Sequence, residues 1–232
     1  MNYSIIKDEE KLREFIKWLP ELKINECYYF CLFARSKYAK NEDGSNKFPH
    51  IKTDKSQLRR FIATDKSKIF TKIKQLEVEI GAYKTKDGED IPQEALALYV
   101  LPNPRCQKKA SFFLSRRLLD ILQMNNEGFT LDHEAWSAIQ KSRSRKIFHD
   151  MDFDDITINE SIEAINEAIN EESRIFIQTR GGFHLLIELS KVDNVFKDTW
   201  YNRLLKINPD IKGDNMIPVP GCTQGNFIPY FI

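Results

Sequence analysis

The sequence predicts an α+β fold: an N-terminal α/β module over residues 1–140 packed against a β-α-β-β-α-β module over residues 141–232, the two making one composite domain. Three observations predict it. Runs rich in β-branched and aromatic residues alternate with segments whose apolar residues recur at helical spacing. With 41% hydrophobic and 12% aromatic residues, the 232-residue chain has material for a sizeable core. From residue 145 onward, strands and helices follow each other in an order that builds one sheet covered by two helices.

The first half opens with a helix over Lys7–Trp18, where Leu12, Phe15, Ile16 and Leu19 share a face and Pro20 ends it. Cys27–Arg35 reads as a buried strand running out into Ser36, Lys37 and Tyr38, followed by a polar loop over Lys40–His50 with Gly44 and Pro49 as breakers. Gln57–Ile73 has helical character and carries Arg59 and Arg60. Ala95–Leu101 is a strand that exits through Pro102, Asn103, Pro104 and Arg105. Ala110–Gln123 reads as a helix bearing Arg116 and Arg117, with Phe112, Phe113, Leu118, Leu119, Ile121 and Leu122 as its buried face. Asn125–Gly128 separates it from a helix near Leu131–Gln140.

In the second half, a strand at 145–153 leads to a helix at 157–170, strands at 174–179 and 183–189, a helix near Val195–Ile207, and a last strand near Met216–Val219. That order is the ferredoxin-like or RRM-like one. Such a fold hosts many functions, so function has to come from its residues. The end, Asn226–Ile232, is apolar, as expected of a terminus docked on its own core or of a chain cut from a longer protein.

Charge is nearly balanced overall, 35 basic against 34 acidic residues, but unevenly spread. Residues 51–75 carry eight Lys/Arg against Asp54 and Asp65, whereas residues 150–172 carry nine acids and no Lys or Arg. A basic first half suits a phosphate backbone; the bland alternative is a solvated face. Cys27, Cys31, Cys106 and Cys222 are too scattered for a disulfide scaffold, and the Cys27/Cys31 pair reads as two small hydrophobes. No signal peptide or membrane span is apparent, so a cytoplasmic protein with no membrane partner is expected.

Three motifs carry chemistry. In KIFHDMDFDD (Lys146–Asp155), Asp150 and Asp152 lie two apart on a strand and so share a face. Two carboxylates that close call for a cation, and oxygen-only donors suit Mg²⁺ or Mn²⁺. Asp154 and Asp155, beyond the motif, read as a helix-entry cap and surface charge. The turn Thr179-Arg180-Gly181-Gly182-Phe183-His184 offers backbone N–H groups, a hydroxyl, a guanidinium and an imidazole, an inventory for a polyphosphate. Its bland alternative is a hairpin turn with a structural histidine. The third motif is Asp214–Gly225. Asp214 reads as the start of the last strand, close to Asp150 and Asp152; a turn residue beside Gly213 is its competitor, and Asp210 is a rival third carboxylate.

Together the three motifs resemble the archaeo-eukaryotic primase superfamily: Asp150-x-Asp152, the small-x-His of Gly182-Phe183-His184, and a late carboxylate, with Gly221, Thr223 and Gln224 similar to the ending of microbial and phage members. The resemblance covers Lys146–Gln224, and Asn103-Pro104-Arg105 weakly, and is nearest to the CRISPR-associated primase-polymerases. Gly213 departs from the pattern, where an apolar residue precedes the third carboxylate. The resemblance implies a template-dependent primase-polymerase, able to start without a primer. Asp150, Asp152 and Asp214 would hold two Mg²⁺ or Mn²⁺ ions. Thr179, Arg180, Gly181, Gly182, His184 and Gln224 would bind the nucleoside triphosphate. The single-stranded DNA template would lie along Arg59, Arg60, Arg105, Arg116 and Arg117. Fusion to, or association with, CRISPR adaptation proteins is a further implication. A non-catalytic RRM-like binding module and a metal-dependent nuclease are the alternatives; the acidic first strand argues against the one, the phosphate-binding turn against the other.

Overall fold

The computed structural model describes residues 1–40, 43–47, 56–123 and 128–232. Much of the Lys40–His50 loop, the basic residues Lys52 and Lys55, and residues 125–127 of the polar stretch lie outside the described residues. The fold is mixed α+β, built on two antiparallel sheets.

In the first part, α1 (Glu9–Trp18) starts at Asp8, whose carboxylate accepts the N–H of Lys11, and buries Leu12 and Phe15. It precedes β1 (Glu26–Ala34), buried on both faces, and β2 (Ser56–Ala63). A short α2 (Ile69–Lys74), β3 (Leu96–Val100), β4 (Arg105–Cys106) and the pair α3 (Gln107–Gln123) and α4 (Leu131–Lys141) follow. The second part runs β5 (Phe148–Asp154), α5 (Ile158–Ala168), β6 (Arg174–Gln178), β7 (Gly182–Glu188), α6 (Trp200–Leu205), β8 (Ile211–Gly213), β9 (Ile217–Pro218) and β10 (Tyr230–Phe231). One sheet is ordered β2-β1-β3-β9, with β4 also on β1; the other is β10-β6-β7-β5-β8.

Side-chain alternation along β5 and β7 decides what each face of the second sheet does. Met151, Phe153, Phe183, Leu185 and Ile187 pack under α5 and α6 against Ile165, Ile169 and Leu204. The opposite face sends Leu186 and Ile177 into the core of the first sheet, with Leu32, Leu98 and Ile217. Asp150, Asp152 and His184 share that face, so they stand where the two sheets meet.

Four expectations need correction. Residues 57–63 are strand, not helix: β2 pairs along β1, Phe61 stacks on Phe30 at 4.8 Å, and cross-strand packing overrides a weak helical pattern. The helix begins only at Ile69, after Asp65 caps a 3-10 turn. α3 starts earlier than its apolar pattern suggested, and most of its expected buried face is open: only Ala110 and Ile121 are buried, while Phe112, Phe113, Leu119 and Leu122 are exposed. The last expected strand, at 217–218, pairs with β3 in the first sheet; the strand that pairs with β5 is β8. Finally, α5 is capped by Thr157, whose N–H and hydroxyl both donate to Glu160, and not by Asp154 or Asp155.

The apolar end docks on its own core. Tyr230 and Phe231 add a strand to the edge of β6, and Phe231 packs on Phe15 and Trp18. All four cysteines are free, with Cys27, Cys31 and Cys222 buried, as small hydrophobes are. No helix among the described residues is long and apolar enough to cross a membrane.

Candidate active site

β5 is the site's axis. It lies between β7 and β8, with Asp152 opposite His184 and Asp150 opposite Gly213. His184 comes between the two carboxylates: Nδ1 is 2.8 Å from Asp150 Oδ1 and Nε2 is 3.4 Å from Asp152 Oδ1. Asp150 is 1% exposed. Burial alone would drive the His184 pKa down; the Asp150 charge and hydrogen bond, helped by Asp152 and Asp154, overcome it and hold the imidazole up at about 9. Burial pushes Asp152 up to about 6, against the pull of His184. The imidazolium is thus the cation for the acidic pair.

These shifts predict the pH dependence of the metal-free protein. His184 titrates near 9 folded and near 6.5 unfolded, so its stabilising contribution is complete below 6.5 and is lost as pH rises through 9. Asp152, raised from 3.8 to about 6, favours the folded state while protonated, and its share is lost as pH rises through 6. Urea unfolding in EDTA should therefore give stability falling from pH 4 to 9 in two steps. His184→Asn should remove the upper one; an unchanged upper step in that variant would assign it elsewhere.

The acidic face opens into a cleft of about 1140 Å³ between the sheets. Asp152, Asp154, Thr179, Gly181, His184 and Asp214 line one side. Arg35, Lys37, Tyr38 and Lys40, from the end of β1 and the turn after it, line the other. Lys37 sits 3.6 Å from Asp154. This basic wall was missed in the sequence, although the strand running out into Ser36-Lys37-Tyr38 was its visible signal.

Several expected phosphate-binding groups are otherwise engaged. The Arg180 N–H donates to Gln224 Oε1 at 2.9 Å, and its guanidinium donates to the Tyr38 carbonyl at 2.6 Å. Gln224 also donates from Nε2 to the Tyr38 hydroxyl, which meets the Tyr99 hydroxyl at 2.7 Å. Arg180 and Gln224 therefore fasten the β6–β7 turn to the first sheet. Gly182 is buried against β5, and a Cβ there would fall 1.9 Å from the Phe153 carbonyl oxygen; Gly182 permits strand approach rather than cradling an anion. Thr179, 4% exposed, and Gly181 reach the cleft lining.

Asp214 follows β8 and lines the cleft, but its carboxylate is already bonded. Oδ1 accepts from Asn103 Nδ2 at 2.8 Å and Oδ2 from Arg105 Nη1 at 2.7 Å, with Arg143 Nη1 3.3 Å from Oδ2. Asp210 is turned to other work, accepting the N–H of Asp154, and is not among the cleft residues.

The expected template residues do not act as a group. Arg105 is 1% exposed and bound to Asp214, so it cannot lie along a strand of DNA. Arg60 pairs with Asp132 and lies over the Trp136 ring; Arg117 pairs with Glu134. Arg59 and Arg116 are exposed, but neither lines the cleft.

Two carboxylates on one strand face, one of them held protonation-prone by burial, are donors of the kind an oxygen-preferring divalent ion takes. Among the described residues no group of three or more acidic, histidine or cysteine side chains forms a ready-made metal cage, so Asp214 does not close the set with Asp150 and Asp152. In comparisons with known proteins, no family model, no curated protein and no solved structure matches this chain.

Proposed function

We propose that the protein is a template-directed nucleotidyltransferase, a primase-polymerase that joins nucleoside triphosphates without needing a primer. The observation that carries the reading is Asp150 and Asp152 side by side on β5 with His184 across from them, all facing a cleft whose far wall is basic. The antiparallel order β8-β5-β7-β6, with α5 and α6 over one face, supports an RRM-like module as their frame.

Asp150 and Asp152 would hold Mg²⁺ or Mn²⁺, which when bound would lower the pKa of the attacking 3′-hydroxyl and offset charge at the α-phosphate. Asp214 lies at the edge of the same cleft and would contribute a further oxygen. His184 is the proton-bearing group between the carboxylates; once the cations take over their charge, its N–H groups are available to a phosphate oxygen. The negative triphosphate would meet Arg35, Lys37 and Lys40 rather than the β6–β7 turn. A volume of about 1140 Å³ exceeds the usual range for one small ligand, leaving room for a nucleotide beside a template or a second nucleotide.

The test is incubation with labelled nucleoside triphosphates, Mn²⁺ and an unprimed single-stranded DNA. New complementary product supports the reading. Shortening of the DNA without new product points to a nuclease, and DNA binding with neither outcome points to a binding module.

A further inference from the structure

Asn103 and Arg105 reach from the first sheet to the loop after β8, and between them they occupy both oxygens of Asp214. Asn103 is 1% exposed and fully used. Its Oδ1 accepts the N–H groups of Ile147 and Phe148, both at 2.8 Å, and its Nδ2 donates to the Phe148 carbonyl as well as to Asp214. One amide thus ties the entrance of β5, two residues before Asp150, to the third carboxylate. Arg105 is the largest fully buried side chain, an arginine enclosed with its guanidinium on Asp214. A buried guanidinium requires a fixed anionic partner, so the pair fixes Asp214 as firmly as it satisfies Arg105. Arg143 adds a weaker contact from the cleft side, at 3.3 Å.

We infer that Asn103 and Arg105 are positioning residues: this two-residue clip from the first sheet sets the third carboxylate against Asp150 and leaves it to serve as a ligand through one remaining lone pair on Oδ1. The inference rests on the nucleotidyltransferase reading above. It also accounts for a buried arginine and a buried asparagine, both carried on the exit of β3, that would otherwise be an expensive way to join two sheets. A carboxylate with three donors on it can give a cation one oxygen only, so Asp214 is a single-oxygen ligand by construction. Hydrogen-bond partners behind a metal ligand orient it, and their loss typically lowers metal affinity or activity by about 10–100-fold.

The experiment is a Mn²⁺ titration read by electron paramagnetic resonance of the free ion. It compares the parent with Arg105→Lys and Asn103→Gln, which keep charge and hydrogen-bonding type but shift the donors, and with Asp214→Asn and Asp150→Ala. Binding is read well below each variant's unfolding midpoint. Arg105→Lys and Asn103→Gln are expected to bind Mn²⁺ about tenfold or more weakly, close to Asp214→Asn, while single-strand DNA affinity stays at the parent's value. Parental Mn²⁺ affinity in both folded variants, with Asp214→Asn weakened, would overturn the inference and leave the function standing. Unchanged affinity in Asp214→Asn would overturn it too, by removing Asp214 as a ligand. No Mn²⁺ binding by the parent, or parental binding by Asp150→Ala, would take down the function as well. If neither buried variant folds, Arg143→Lys decides: that side chain is 37% exposed, and a loss of about twofold to fivefold is expected, with none overturning the inference.

Discussion

Alanine at both Asp150 and Asp152 is expected to abolish nucleotide incorporation, by at least about a thousandfold, the effect of losing several kcal/mol of charge stabilisation in the transition state. The two single variants should differ in stability, and in opposite senses. From the sequence, two repelling carboxylates predict that removing either relieves strain. The structure puts the buried His184 imidazolium between them, which changes the sign for one of the pair. Asp150→Ala leaves His184 buried without its main partner. The ring then sheds its proton instead of staying charged, so the cost is about 1–3 kcal/mol rather than that of a stranded ion. Asp152 already pays for its burial with a raised pKa, so Asp152→Ala should be neutral or slightly stabilising at pH 8. Urea unfolding and incorporation assays on the single and double variants check both parts. Normal incorporation by the double variant would remove the active site from this strand.

Gly182→Ala is expected to destabilise the fold by at least about 3 kcal/mol and to eliminate activity with it. The new Cβ would lie 1.9 Å from the Phe153 carbonyl oxygen and 3.2 Å from Asp154 Cα, so backbone has to move. The shift would act at the register that sets Asp152 opposite His184. Gly181→Ala is the matched control: its Cβ meets the Asp154 carboxylate at 3.1 Å, the end of a side chain that turns aside, and a change within about 1 kcal/mol is expected. Two glycines that served only as a phosphate cradle would behave alike, losing nucleotide affinity with the fold intact. Denaturant midpoints for the two variants separate the accounts, and a parental midpoint for Gly182→Ala would contradict the close-approach role.

What was legible in the sequence is local. Period-two alternation placed Asp150 and Asp152 on one face of a strand, and the spacing of Ile165 and Ile169 placed α5 under the sheet. The small-x-His motif put His184 on a neighbouring strand, where the structure has it. What was not legible depends on partners far along the chain. Arg59 and Arg60 sit in a stretch with helical character and become strand because β1 offers an edge. Arg105 was read as an exposed tip because two prolines bracket Asn103; its burial depends on Asp214, 109 positions away. Phe112 and Leu119 were assigned to a core because they are apolar at helical spacing, a pattern that cannot say whether the facing surface is filled. The phosphate-holding role given to Arg180 and Gln224 fails for the same reason: their partners are each other and Tyr38, 142 and 186 positions from them.

The central claim is that Asp150, Asp152 and His184 face a cleft built to join nucleotides on a template. The most direct measurement is a product assay on unprimed homopolymeric single strands, with Mn²⁺ and each of the labelled nucleoside triphosphates in turn, run for the parent and for Asp152→Asn. The account predicts that the parent makes product only from the nucleotide complementary to the strand supplied, and that Asp152→Asn, similar in size and folded, makes none. Product of equal amount from all nucleotides, or equal product from Asp152→Asn, would contradict it.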